Sequence, residues 1–130
     1  MSRATAALAI LTTASIAAII ALLASSTACN SGGGMDPKVE AKKIWVDRCV
    51  TCHGDQGKGD GPTSAALLVK PRSFGDPGWQ SSVTNERIAT VIVKGGTSVG
   101  LSDVMAPNAD LASKPEVVEA LVRIIRSQAK

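Results

Sequence analysis

The chain has 130 residues, 45% hydrophobic and 19% charged, which suffices for one small domain and excludes a multi-domain enzyme. Its 14 basic residues exceed the 11 acidic ones to give a formal net charge of +3, and they are scattered, so nucleic acid finds no basic patch. Aromatic residues make up only 2% (two Trp, one Phe, no Tyr) and much of the apolar total lies in residues 4–24, a composition that leaves the core small and invites a buried prosthetic group.

Residues 4–24 carry no charge, are mostly Ala, Leu and Ile, and follow Arg3, the pattern of an export signal. The small residues Ser26, Thr27 and Ala28 suit cleavage just before Cys29. Thr27-Ala28-Cys29 resembles the lipobox of bacterial lipoproteins, which implies that Cys29 is the lipidated first residue of the mature chain. A plain secretory signal and an uncleaved anchor stay open. Ser26 stands where Leu is usual, and the apolar run is longer than the about 7–15 residues of a signal core and close to a bilayer span. All three readings export the domain. Asn30-Ser31-Gly32-Gly33-Gly34 has no side chains to pack and forms a flexible tether. The expected organisation is a signal peptide over residues 1–28, a linker over 29–35 and one domain over 36–130.

Asp36-Pro37 opens the first helix, with Asp as N-cap and Pro at the first helical position, and the helix is expected to run to about Arg48. Residues 62–69 read as a short helix stopped by Lys70-Pro71, followed by a loop with Phe74, Pro77, Gly78 and Trp79. Thr84 or Asn85 caps a further helix, with Ile88, Val91 and Ile92 on one face and Gly95-Gly96 at its end. After a loop with Gly100 and Pro107, Ser113 and Glu116 form a capping box for the last helix, whose Val117, Leu121, Ile124 and Ile125 share a face. No strand pattern and no internal repeat occur. The fold class is therefore all-α, about four helices with long loops, and loops of that length need a central organiser such as a cofactor.

Cys49-Val50-Thr51-Cys52-His53 is the signature of covalent c-type haem attachment. On a helix, residues i, i+3 and i+4 share a face, so two thiols and an imidazole point the same way. A thioredoxin-type dithiol expects a strand before its Cys pair, whereas a helical pattern precedes this one. A structural zinc site needs four ligands, but His53 is the only His and Cys29 belongs to the leader.

With these residues the chain resembles the class I c-type cytochromes, especially small exported mono-haem domains akin to oxidase subunits. The resemblance spans residues 36–130. It rests on Trp45 four residues before Cys49, on Cys49-x-x-Cys52-His53-Gly54, on Gly61-Pro62, and on Met105-Ala106-Pro107. It implies a cytochrome c fold round one covalent haem c, with His53 and Met105 on the iron and the Pro62 carbonyl accepting from His53 Nδ1. Met1 is the initiator and Met35 borders the linker, which leaves Met105 among the three Met, with gap-filling in the core as its other reading. The resemblance also suggests Arg72 and Trp79 as donors to a haem propionate, Trp79 being equally explained by packing. Phe74, Leu68, Ile88, Ile92, Val99, Leu101 and Leu111 are candidate pocket or core side chains. Gly54, Gly57, Gly59 and Gly61 either bend the chain round the haem edge or form a mobile loop. Ile124 stands where the family commonly has an aromatic, and is expected to meet Trp45.

Without residues 1–28 the chain keeps 13 basic and 11 acidic residues, and two haem propionates bring its net charge to about zero. The function implied is a mono-haem carrier of single electrons, not an enzyme, on the outer face of the cytoplasmic membrane, held there by a lipid anchor. Its partners are redox proteins, a membrane oxidoreductase complex among the candidates, with no role for nucleic acid. Two alternatives remain: a haem sensor or gas-binding module with a labile Met105, and a thiol–disulfide oxidoreductase.

Overall fold

Asp36 starts the first helix as expected. Its carboxylate accepts from the main-chain N–H groups of Lys38 (2.8 Å) and Val39 (3.3 Å), and Pro37 takes the first helical position, where a missing N–H is harmless. The computed structural model describes residues 34–129, so the signal peptide, Cys29 and linker residues 30–33 lie outside the described residues.

Helix α1 (Pro37–Ile44) does not stop near Arg48. It widens into a π turn over Trp45–Cys49, in which the Val50 N–H reaches back five residues to the Trp45 carbonyl, and continues as α2 (Val50–His53). The junction residues Trp45 and Val50 keep right-handed helical dihedrals, so the three pieces form one helical rod. Gly54, at φ +77°, ends it directly after His53.

The helix expected over residues 62–69 shrinks to a 3₁₀ turn, Ser64–Ala66. Its approach is committed elsewhere: the N–H groups of Gly61 and Thr63 donate to the Cys52 and Thr51 carbonyls (3.2 and 3.0 Å). Lys70 Nζ then caps the Ser64 and Ala65 carbonyls at 2.7 and 3.1 Å, occupying acceptors that a longer helix needs. Conversely, the loop expected round Pro77 contains a helix, α3 (Pro77–Ser82), started by Asp76 and Pro77 in the same way as α1.

Helix α4 (Asn85–Lys94) has its expected cap, with Thr84 Oγ1 accepting from the Arg87 N–H at 3.1 Å, and it ends at Gly95. A 3₁₀ turn, Gly96–Val99, and a second, Ala109–Ser113, flank the loop that carries Met105. The last helix, α5 (Pro115–Arg126), lacks the expected capping box: Ser113 closes the preceding 3₁₀ turn and Lys114 is the N-cap, with no side-chain bond. Pro115 at the first helical position sets the entry instead. No strand occurs among the described residues.

Helices α1 and α5 pack against each other, and α4 packs on α5. Ala41, Ile44 and Trp45 are buried with Val117, Leu121 and Ile125, while Ile88, Ile92, Phe74 and Leu111 complete the core. Leu111 and Leu121 are the largest wholly buried side chains, each contributing about 1.5–3 kcal/mol of transfer free energy. Ile124 is half-buried and lines a shallow cleft with Trp45. Arg126 fastens the end of α5. Its Nε donates to Asn85 Oδ1 (2.8 Å), Nη1 to the Gln80 carbonyl and Oε1 (2.6 and 2.8 Å), and Nη2 to the Val83 carbonyl (2.6 Å).

Candidate functional site

The helical rod presents Cys49 at the end of its π turn and Cys52 and His53 in the α-helical turn after it. Both thiols are free and partly buried. Cys49 Sγ points to the Ile44 carbonyl at 3.9 Å, and burial, outweighing the pull of Arg48, pushes its pKa up to about 11. At neutral pH it is a thiol, not a thiolate. Cys52 Sγ lies 3.3 Å from Thr63 Oγ1.

His53 is mostly enclosed, and burial lowers its pKa from the usual 6.5, with the Arg72 main chain acting in the opposite direction. The imidazole is therefore held neutral. Its ring stacks on Phe74 (centroids 4.6 Å apart, planes 18° apart), which is also tilted against Trp79 at 5.2 Å and Trp45 at 6.2 Å. His53 Nδ1 is buried and has no hydrogen-bond partner, so the expected bond to the Pro62 carbonyl is absent. Pro62 is exposed; its neighbours Gly61 and Thr63 are tied to Cys52 and Thr51.

The glycine-rich segment is fixed, not loose. Gly54, Gly57 and Gly59 all have positive φ, and the Gly59 N–H donates to the His53 carbonyl at 2.8 Å while the Phe74 N–H donates to that of Gly57 at 2.7 Å. Gly61 is needed for close approach. A Cβ there would stand 2.4 Å from the Val50 carbonyl oxygen and 2.5 Å from that of Thr51.

Met105 is half-buried in its loop, its carbonyl accepting from the Gly96 N–H at 2.8 Å and its N–H donating to the Ser102 carbonyl at 3.3 Å. Gly96 permits this: a Cβ there would be 2.2 Å from the Ser102 oxygen and 3.2 Å from Met105 Cβ. Arg48 links this loop to the helical rod. Its guanidinium forks onto Asp110 with two contacts of 3.0 Å and reaches Asn108 Oδ1 at 3.2 Å, while Asn108 Nδ2 donates to the Ile92 carbonyl at 2.9 Å. The hydrogen bonds from Arg48, helped by its charge, hold the Asp110 carboxyl below its usual range.

The remaining candidates divide. Trp79 is half-buried against Phe74, whereas Arg72 is exposed and lies 3.7 Å from Asp76 Oδ2. Phe74, Ile88, Ile92 and Leu111 are core residues, but Leu68 and Leu101 are exposed, together with Val69 and Val104 beside them. No cluster of three or more His, Cys, Asp or Glu side chains able to hold a metal ion occurs among the described residues, so the zinc reading finds no ligand set there. Nor is any helix among them long and apolar enough to cross a membrane. Thr63, Arg48, Asn108 and Asp110 escaped the sequence reading, because partners 11 to 62 positions apart leave no local pattern.

The chain matches the family model described as Cytochrome c over residues 39–128. Among solved structures it is similar to one titled KustC0563 c-type cytochrome, at 31% sequence identity and a TM-score of 0.54, the match covering 74% of this chain and 100% of that one. No curated protein matches it.

Proposed function

This chain belongs to the cytochrome c family, and from that premise we propose that it carries single electrons between redox partners on the outer face of the cytoplasmic membrane. Haem c, covalently bound, is the family's group, and Cys49 and Cys52 fit its attachment. Three observations support the fit. The donors are two free thiols and a neutral imidazole within one stretch of helix, His53 Nδ1 is buried without a partner, and Leu68, Val69, Leu101 and Val104 leave apolar surface uncovered in the loops after Pro62 and before Met105.

The observation that carries the proposal is the turn Cys49 to His53. Cys49 and Cys52, both free thiols, would hold the group through thioethers. His53, kept neutral, would offer a ring nitrogen to the iron, and Phe74 fixes the plane of its ring. Met105 is the proposed second residue that would hold the iron: a thioether carries no proton, and its main chain is pinned by Gly96 and Ser102. The bound group supplies a one-electron iron couple, and His/Met ligation favours a raised potential and a closed sixth position. Arg72 and Trp79 are the proposed lesser contacts, as donors to a haem propionate. On this reading the protein turns over no substrate.

Cys29 is proposed as a lipid anchor that keeps the domain near membrane redox partners, an oxidoreductase complex among them. A mature chain starting at Cys29 with an unmodified thiol would refute the anchor. For the carrier itself, protein matured in a haem-attaching host should gain the mass of one haem under denaturing conditions and show sharp reduced α and β bands indifferent to carbon monoxide. Carbon monoxide binding favours the sensor reading, and a chain without haem the dithiol reading.

A further inference from the structure

We propose that Thr63 is a positioning residue for the second attachment thiol, its hydroxyl holding Cys52 Sγ in place for thioether formation; the proposal rests on the haem-attachment reading above. Thr63 Oγ1 lies 2.9 Å from the Thr51 carbonyl and 3.3 Å from Cys52 Sγ. A hydroxyl has one proton and two lone pairs. Donation to Thr51 uses the proton, so the lone pairs face the sulfur and the Cys52 S–H is the donor.

The hydroxyl is itself held. Thr63 also donates its main-chain N–H to the Thr51 carbonyl at 3.0 Å, and two residues earlier the Gly61 N–H donates to the Cys52 carbonyl at 3.2 Å. β-Branching restricts the remaining χ1 freedom. Among the described residues Cys49 has no such hydroxyl neighbour: its sulfur points to the Ile44 carbonyl at 3.9 Å, and its side chain packs against the core. The two thiols of one motif are thus placed by different means, Cys49 by packing and Cys52 by a hydroxyl from the segment that folds back over α2.

Thioether formation adds S–H across a vinyl double bond. The carbon–sulfur bond forms at one vinyl carbon, the thiol's proton equivalent ends on the other, and no outside oxidant or reductant is needed. The Thr63 proton takes no part. Once the sulfur has lost its hydrogen it is an acceptor only, and the hydroxyl is free to turn from Thr51 towards it.

The test compares wild type, Thr63→Val and Thr63→Ser, each matured in a haem-attaching host, denatured, alkylated with iodoacetamide and mapped by mass spectrometry. Thr63→Val, which keeps the branched shape, should leave Cys52 free in a several-fold larger fraction of haem-bearing chains, with Cys49 attached as in wild type and the pyridine haemochrome α band moved towards longer wavelength. Thr63→Ser should restore attachment at Cys52. Full double attachment in Thr63→Val, or equal loss at both cysteines, overturns the proposal. So does a Thr63→Ser chain that leaves Cys52 as free as in Thr63→Val, a comparison that holds even if removing the hydroxyl lowers the yield of folded protein. Wild type with haem and an unaffected Thr63→Val refutes Thr63 alone, whereas wild type without haem refutes the attachment reading and this proposal with it.

Discussion

Replacing Gly96 by Ala tests whether the Met105 loop is packed as described. The new Cβ would stand 2.2 Å from the Ser102 carbonyl oxygen, 3.2 Å from its carbon and 3.2 Å from Met105 Cβ. The first atom belongs to the main chain and cannot rotate away, so the loop must retreat by about 1 Å to regain ordinary contact. That movement strains three hydrogen bonds at once: Gly96 N–H to Met105, Met105 N–H to Ser102, and Leu101 N–H to Gly96. With about 1–3 kcal/mol for overpacking and about 0.5–1.5 kcal/mol for each bond lost, the expected cost is about 2–4 kcal/mol, since the loop relaxes in part. For a domain of this size that lowers the melting temperature by roughly 10–25 °C. Guanidinium unfolding of the haem-loaded protein measures the cost, and, with Met105 as the proposed iron ligand, a carbon monoxide difference spectrum of the reduced variant should show the gas bound. Gly100→Ala is the control. Gly100 has φ +75° with nothing within 4 Å of a new Cβ, so only left-handed strain of about 1–2 kcal/mol applies and no gas binding is expected. A Gly96→Ala protein within 0.5 kcal/mol of wild type and inert to carbon monoxide would falsify the packing argument.

Met105→Ala removes the proposed neutral ligand and should lower the midpoint potential by something on the order of 0.1 V or more, with carbon monoxide binding gained; an unchanged potential and spectrum place the distal ligand elsewhere. Arg126→Met keeps the aliphatic stem but strips four hydrogen bonds, leaving the Gln80 and Val83 carbonyls without their cation, and should cost about 2–4 kcal/mol in urea unfolding with the visible spectrum unaltered. A loss under 0.5 kcal/mol contradicts the role given to that fork. Because Arg48 depresses the Asp110 pKa below 3.8, their pairing stabilises the fold at neutral pH and is lost as acid protonates Asp110 in its lowered range. Asp110→Asn should therefore be less stable at pH 7 and show a flatter decline in stability below about pH 4; parallel curves for the two proteins refute it.

Local signals carried the sequence reading where a residue's role depends on its near neighbours. Thr84 and Gly95 bound α4 because a cap and a left-handed stop each act within four positions. Asp76-Pro77 repeats the Asp36-Pro37 start, yet α3 is only six residues long, too short for an apolar period to show. The π turn has no such mark: neither Pro nor Gly occurs in residues 38–53, and the widening appears in the Val50 to Trp45 bond. The same division holds at the site. Cys49, Cys52 and His53 are legible from spacing, but the orphaned His53 Nδ1, the Thr63 hydroxyl and the Arg48 fork depend on how distant segments meet.

The pairing of α1 with α5 also fixes an order of events during synthesis. A chain emerges from its amino end, and the rod bearing Cys49, Cys52 and His53 is complete some sixty residues before Val117, Leu121 and Ile125, the surfaces that Ala41, Ile44 and Trp45 need, have been made. Contacts that close so long a loop form late. Until then the attachment turn has its local contacts, Thr63 on Cys52 among them, and none from α5. Arg126, near the end of α5, then locks α3 and α4 onto it. The end of α5 thus closes a window that the first half of the domain leaves open.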